Sequence, residues 1–389
     1  MGEYKRCSAG VWDTTVPGIK FDLNGLSNYY HMFQKYAGDY PRGVEGLKAW
    51  NKYVDEIKSA GKGKEYDCII GVSGGTDSSF LLYIAREFGL RPLAVTLDNG
   101  WSSEIAVKNI KKVTNALKID LETYVIDYEE LKDILSSYIK AGLPWIDYPT
   151  DQAIKSILFR MARKFKVKHI LIGHDFRSEG TQPNEWTYGD ARQLRHIQKK
   201  FGSRKIKSFP NMSISENIYY QYFCGIKMLY PFFYIDYDKQ AAREFLMKNY
   251  DWKYYGGHHH ENSFTKFAIA YWMPVKFGFD KRIITFSAQI CSGHLTRSQA
   301  IAELASPAYS VENIEAEIEF VAKKLGMAGK QFRGYFDSPN HSFTDYPSYH
   351  PVLESVYKLI RPFMKYLFPQ MPAYFLQLEE KLREKEAAE

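Results

Sequence analysis

The chain has 389 residues, a net charge of +7, ordinary charged and apolar fractions (25% and 45%), and an unusual 30 Tyr and 25 Phe. That length predicts two domains with room for a small extra module, and the modest charge suits anionic small substrates such as nucleotides without requiring nucleic acid. No apolar stretch reaches the roughly 18–20 residues of a membrane span. The start, Met1-Gly2-Glu3-Tyr4, lacks the apolar core of a signal peptide, and four scattered cysteines (7, 68, 224 and 291) make no disulfide framework, so a cytoplasmic protein is expected.

Residues 1–50 read as an irregular N-terminal module. Cys7-Ser-Ala-Gly10 and Ser27-Asn-Tyr-Tyr30 are separated by turn signals at Val16-Pro17-Gly18 and Asn24-Gly25. The spacing suits two zinc knuckles, but only Cys7 among the four positions is a cysteine, and a lone thiol cannot hold tetrahedral zinc. Tyr40-Pro41-Arg42-Gly43 reads as a linker, and 44–58 as a helix.

Between 60 and 205, apolar strands (67–72, 92–98, 121–127, 168–173) alternate with helices (77–88, 102–117, 129–140, 151–165). This pattern predicts an α/β domain with a parallel sheet covered on both faces. Ligands then bind beyond the strand C-termini, where loops 73–79, 98–101 and 174–180 meet. Residues 206–389 read as an α-rich substrate and partner domain, with helices at 214–223, 239–249, 263–272, 296–304, 311–325 and 351–366 and a charged end over 376–389.

The chemistry centres on Asp67 to Ser79. The apolar run Cys68–Val72 breaks at Ser73-Gly74-Gly75, and a helix starts at Asp77-Ser78 with Phe80, Leu81, Ile84 and Phe88 on one side. Glycines let backbone N–H groups approach an oxyanion closely, and the helix start adds partial positive charge. The hydroxyls of Ser73, Ser78 and Ser79 can donate to the same anion. No lysine follows the glycines, which excludes the Gly-Lys-Ser/Thr phosphate loop, and the Gly-x-Gly-x-x-Gly dinucleotide turn is absent. Ser-Gly-Gly-x-Asp-Ser-Ser after an apolar strand resembles the PP-loop of N-type ATP pyrophosphatases, which split ATP into AMP and pyrophosphate.

That resemblance implies an ATP site. Ser73, Gly74, Gly75, Thr76, Asp77, Ser78 and Ser79 would hold the β- and γ-phosphates. Asp77 reads equally as a helix cap or a Mg²⁺ ligand. Thr96 and Asp98 stand where such enzymes clasp adenine, and Asp98 reads equally as a cap for the helix near Ser102. Gly173-His174-Asp175 would lie close to the α-phosphate. His174 and Asp175 are then candidates to bind metal or polarise that phosphate, Asp175 also being a possible turn cap. The expected catalytic set is Asp77, His174 and Asp175, with Mg²⁺ on Asp77 and Asp175.

Further on, Arg177 is a substrate candidate. Trp186 and Tyr188 can stack on a sugar or base, and Arg192 and Arg195 can pair with carboxylate or phosphate; a surface helix with scattered charges explains that cluster equally well. Lys266, Lys281 and Arg282 are candidate cations for a nucleotide-sugar diphosphate. For His258-His-His-Glu-Asn262, local capping of the next helix outweighs a metal site, since adjacent histidines point in different directions. Ser292-Gly-His-Leu-Thr-Arg297 reads more simply as a helix cap than as a closing segment.

Several stretches together resemble the N-acetyl sugar amidotransferases, a PP-loop family of surface-polysaccharide and nonulosonic-acid biosynthesis. They are Cys7 through Asp13-Thr14-Thr15-Val16-Pro17-Gly18, Ser73–Ser79, Tyr188–Gly202, Glu261-Asn-Ser-Phe-Thr-Lys266, Lys276-Phe-Gly-Phe-Asp-Lys-Arg282 and Ser292–Arg297. The resemblance spans most of residues 4–305. It implies ATP and Mg²⁺, adenylation of a sugar N-acetyl carbonyl, and replacement of AMP by ammonia to give an acetamidino sugar. It also implies a separate glutaminase with an ammonia-channelling subunit, since residue 2 is glycine and no Cys-His-Glu glutaminase segment is found. The family's two Cys-x-x-Cys knuckles read Cys7, Gly10, Ser27 and Tyr30 here, so no structural zinc is expected, with Trp12, Tyr29 and Tyr30 packing in its place. The rivals are a tRNA-modifying PP-loop enzyme that adenylates a base, and a catalytically silent nucleotide-binding subunit. The lone cysteines speak against sulfur transfer, the lack of a basic helix or tail against RNA, and the intact loop against silence.

Overall fold

The computed structural model describes residues 3–256, 260–368 and 370–388. The apolar runs form one parallel sheet of β1 (Cys68–Gly71), β2 (Pro92–Asp98), β3 (Leu121–Val125), β4 (His169–Leu171) and β5 (Lys227–Leu229), in the order β3-β2-β1-β4-β5. Ile70 pairs with Ala94 on one side of β1, and Ile69 with Ile170 on the other. Cys68, Ile69 and Ile70 are fully buried because helices cover both faces, which is why β1 reads as a continuous apolar run rather than an alternation.

The chain winds outward from β1 to β2 and β3, then returns to place β4 and β5 on the opposite side. The sheet order therefore reverses beside β1, and the loops after β1 and β4 open a crevice at the strand C-termini. β5 comes from beyond the 60–205 stretch. Its three residues are too short to show a period, and they follow a segment that reads as helical and is indeed helical, with a wider π turn at Tyr219–Phe223.

The helices α1 (Asn28–Asp39), α2 (Gly43–Gly61), α3 (Thr76–Glu87), α4 (Glu104–Leu117), α5 (Tyr128–Lys140) and α6 (Tyr148–Lys164) precede β4. α1 lies inside the stretch expected to be irregular; Ser27 caps it by accepting the Tyr30 N–H at 3.1 Å. Beyond β5, helices over 239–250, 282–291 and 314–324 pack on the same core, 297–304 on a small cluster with Val11 and Phe286, and 350–360 and 373–388 on one of their own around Tyr357 and Leu378, while a helix at 263–267 continues as a π-helix to 277. The helix Arg282–Cys291 starts at the last residue of the Lys276–Arg282 stretch. Trp50, Trp101, Trp186, Trp252 and Trp272 are all essentially buried, and many of the Tyr and Phe pack in or against the core, while Tyr219, Tyr222 and Phe223 stay exposed.

At the N-terminus two antiparallel bridges, Arg6–Asp13 and Phe21–Ser27, hold the knuckle-like turns. The Cys7 thiol accepts the Ser27 N–H at 3.3 Å. A side chain on Gly10 would meet the Trp12 ring at 2.6 Å, so indole fills that knuckle position. Arg297 donates to the Gly10 carbonyl at 3.0 Å and Ser287 accepts the Val11 N–H at 2.9 Å, which ties this module to the C-terminal half. Thr296 caps its helix, and Arg297 thus grips the N-terminal turn rather than the crevice.

Candidate active site

β1 ends where the Val72 N–H donates to the Val95 carbonyl at 2.8 Å. The chain then turns through Gly74 at φ +82°, a left-handed conformation in which a Cβ would lie 2.3 Å from the Ala106 carbonyl oxygen, so only glycine fits. The Gly74 carbonyl accepts from the Trp252 indole N–H at 3.2 Å. Gly75 is the N-cap of α3 and offers no side-chain cap, which leaves the first N–H groups to other acceptors. The Gly75 N–H donates to the Ser73 hydroxyl and the Thr76 N–H to the Tyr255 phenol, both at 3.3 Å. The Ser73 N–H donates to the Ser78 hydroxyl at 3.2 Å, and the Ser73 hydroxyl to Glu261 Oε1 at 3.3 Å. These are long, local bonds to groups that can rotate away, as suits a loop able to receive an oxyanion. Thr76 and Ser79 are buried beneath it.

Asp77 sits in the first turn of α3 and is not its cap. Its carboxylate pairs with the Lys239 ammonium at 2.7 Å and accepts from the Tyr237 phenol. Lys239 also stands 3.8 Å from Glu179, whose other oxygen bonds His174 Nδ1. Burial disfavours the Lys239 charge, but Asp77 and Glu179 outweigh it and hold the pKa above the ordinary lysine value. His174 follows the same logic: burial opposes its charge, Glu179 wins, and its pKa is raised. Burial and the Asp77 charge keep Tyr237 protonated. Gly173 completes the junction, because a Cβ there would press on the Asp77 backbone at 2.9 Å. The loops after β1 and β4 thus touch, and an Asp77–Lys239–Glu179–His174 chain lines the crevice between them.

Asp175 plays a different part. It is fully buried, caps the short helix α7 (Phe176–Glu179) through the Arg177 N–H, and pairs with Arg42 at 3.1 Å. Burial pushes its pKa up, with Arg42 pulling the other way. It braces the loop after β4 through Arg42 and the Arg177 N–H, while its charge, like that of Asp77, is felt by His174 and Tyr237.

The other expected residues separate. Thr96 and Asp98 end β2; Asp98 accepts the Gly100 N–H at 3.0 Å, and Ser103, not Asp98, caps α4. The Arg177 guanidinium is spent on the carbonyls of Phe233, Ala37 and Tyr40, and burial lowers its pKa to about 10. Trp186 is buried against Phe279. Tyr188 bonds Asp190 and packs on Phe343, His350 and Tyr374. Arg192 reaches the Ser348 carbonyl and Arg195 the Tyr349 phenol, so this cluster anchors the 343–350 segment. Lys266 pairs with Glu317, and Arg282 with Asp280 and the carbonyls of Glu303 and Ser306. Lys281 lies 4.3 Å over the Trp145 ring and feels Asp151, Glu179 and Asp147, the second of which also bonds His174. Asn262 caps its helix, while His258 and His259 fall outside the described residues.

Sequence reading missed Lys239, Tyr237 and Tyr255. One signal pointed to Lys239. It occupies the first position of the helix Lys239–Tyr250, the end where a cation opposes the helix dipole. A lysine placed there against its local preference marks a charge needed for something else.

The fold and the loop geometry define a parallel α/β protein with a PP-loop-type anion site. Residues 261–361 match the family described as LPS biosynthesis protein WbpG-like, C-terminal domain, and the loop domain lies outside that match. An uncharacterized protein of Methanocaldococcus jannaschii is 32% identical over 142 residues, 35% of this chain and 48% of that protein. The tRNA-specific 2-thiouridylase MnmA 2 of Fusobacterium nucleatum is 32% identical over 112 residues, 27% of this chain and 33% of that protein. The chain thus spans less than half the length of these curated relatives. Among solved structures, the NMN synthetase of Francisella tularensis (14% identity, 64% of this chain and 95% of that one, TM-score 0.27) overlaps it. So does the U34-tRNA thiolase NcsA of Methanococcus maripaludis (13%, 64% and 81%, TM-score 0.30). Overlaps at those TM-scores say nothing about site or activity.

Proposed function

We propose that the chain is an ATP-dependent amidotransferase of surface-polysaccharide or nonulosonic-acid biosynthesis, which converts a sugar N-acetyl group into an acetamidino group. The observation that carries this reading is the Ser73–Ser79 loop with Lys239 at its mouth, on a chain whose 261–361 segment matches an LPS-biosynthesis domain. An amide carbonyl is a poor electrophile with a poor leaving group. Attack of its oxygen on the α-phosphorus breaks the bond to pyrophosphate and gives an adenylated imidate. Ammonia then adds to the carbon, and AMP departs with the former carbonyl oxygen.

Negative charge develops on the departing pyrophosphate, where the N–H groups of Gly75 and Thr76, the serine hydroxyls and Lys239 converge. Mg²⁺ fits as a companion of the phosphates. Among the described residues no group of three or more His, Cys, Asp or Glu side chains could hold a metal ion. A Mg²⁺ that takes one carboxylate and completes its shell with phosphate oxygens and water needs only Asp77. When bound, it would offset phosphate charge. Asp175, paired with Arg42, would have to leave that partner to join the shell, as Asp77 would have to share with Lys239. Lys281, which feels Glu179, is the cation we assign to the approaching sugar. No side-chain nucleophile is required, and ammonia comes from a separate glutaminase through a channelling partner.

Sulfur transfer to tRNA is less well supported. Cys68 is buried in β1 with its thiol pKa pushed up by burial, and burial pushes Cys291 up to about 12. The test is AMP formation from ATP by the purified chain, with ammonium and a panel of diacetamido sugars. AMP that depends on one sugar, with that sugar gaining NH in place of O, is expected. AMP stimulated by tRNA and by no sugar would overturn the reading.

A further inference from the structure

α6 leads into β4, which pairs parallel to β1, and as a crossover helix lies against the sheet beside β1. Leu158 packs over the end of the strand, its Cδ1 3.1 Å from where a Cβ on Gly71 would stand. Gly71 and Ser73 are two residues apart on an extended chain and look to the same side. At the other end of α6, Asp151 accepts from the Trp145 indole at 2.7 Å and acts on the Lys281 ammonium. Positions 151, 155 and 158 share one helix face. Lys155 is therefore bracketed between the strand end that carries the phosphate loop and the part of the crevice that holds Lys281.

Its side chain is half-buried and makes no hydrogen bond or ion pair with any described residue. Lys239 is answered by Asp77 and Glu179; Lys281, whose pKa burial lowers, has the Trp145 face and three carboxylates that partly offset that burial. Burial lowers the Lys155 pKa and no charged group offsets it. A half-buried ammonium with no partner is costly, and one at the mouth of a parallel sheet is a candidate to take its counter-charge from a ligand.

We propose that Lys155 binds the α-phosphate of the nucleotide and so supplies, from α6, the cation that the glycine loop itself lacks. This rests on the ATP site proposed above. The β- and γ-phosphates belong at the α3 start beside Lys239. The α-phosphate lies further along the crevice towards Lys281, which is the interval Lys155 occupies. The α-phosphate keeps its charge in ATP, in the adenylated sugar and in AMP, so the contact persists through the whole reaction and is present with AMP alone.

Calorimetric titration of the full chain with ATP, AMP and inorganic pyrophosphate tests this. In Lys155→Met the Kd for AMP and for ATP should rise about tenfold or more while that for pyrophosphate stays put, a loss that one charged contact accounts for. The melting temperature should rise, because a half-buried, unpartnered charge has gone. Lys155→Arg should keep most of the AMP affinity, and Lys155→Gln should repeat the loss in a variant that stays polar. Unchanged AMP affinity in both Met and Gln variants overturns the assignment, as does an equal loss of AMP and pyrophosphate. A parent protein that binds neither ATP nor pyrophosphate would instead overturn the ATP site itself, before any variant is compared.

Discussion

Lys239 and Asp77, 162 residues apart in the chain, meet at 2.7 Å at the mouth of the glycine loop. The contact joins the C-terminal half to the first turn of α3 and places a cation where the helix dipole also draws an anion. Asp77 holds the ammonium in position while the site is free of phosphate. The same ammonium is in reach of a phosphate oxygen once one arrives.

Lys239→Met therefore leaves Asp77 and Glu179 facing each other without their shared cation. Both carboxylates and the ammonium retain some solvent contact, so the stability loss is roughly 1–3 kcal/mol, below that of a fully buried pair. Pyrophosphate affinity should fall about tenfold or more, since a charged hydrogen bond to the ligand is lost. Urea melts and pyrophosphate titration of the same preparation check both. Unchanged pyrophosphate affinity would reduce Lys239 to a brace.

Gly74→Ala tests the loop's geometry. The residue needs a positive φ, and its Cβ would press on the Ala106 carbonyl at 2.3 Å, backbone that cannot swing aside. The substitution should cost roughly 2–4 kcal/mol and remove ATP binding together with pyrophosphate binding. A Gly74→Ala protein that melts like the parent would mean that the loop relaxes freely.

The His174–Glu179 pair predicts a pH dependence. The folded pKa of His174 is raised above its unfolded 6.5, so the folded state binds this proton more tightly. The pair's stabilisation is thus complete below pH 6.5 and is lost as pH rises through the folded value. Melting temperatures across that range should fall more steeply in the parent than in His174→Gln. Parallel curves would show that the histidine does not titrate there.

How much of this was legible in the sequence follows physical lines. β1 to β4 were readable because strands buried on both faces show as unbroken apolar runs between turn residues. The loop was readable because its glycines and serines sit directly between a strand and a helix. β5 was not, being three residues long, nor was α1, whose Ser27 cap lies in what reads as a knuckle. Arg177, Arg192, Arg195, Lys266 and Arg282 all read as anion contacts because a charge in a sequence carries no record of its partner. The fold gives each a carbonyl, phenol or carboxylate elsewhere. Lys155 had the opposite problem, looking like an ordinary helix lysine, and Lys239 was marked only by its place at a helix start.

The N-terminal turns should be indifferent to metal. Trp12 fills the Gly10 position, and Cys7 is engaged with the Ser27 N–H. Prolonged chelation should leave the melting temperature unchanged, whereas Cys7→Ser should cost about 1 kcal/mol by altering one buried hydrogen bond. Stoichiometric zinc in the purified protein, lost on chelation with a fall in stability, would contradict this packing.

The central claim is that the amide oxygen attacks ATP. The direct measurement is a turnover with a diacetamido sugar whose acetyl oxygens carry a heavy isotope, followed by mass analysis of both products. The account predicts labelled AMP, unlabelled pyrophosphate and a sugar that has lost one labelled oxygen. Unlabelled AMP beside an aminated sugar would contradict it, because the oxygen would then have left by a route that never passed through the α-phosphate.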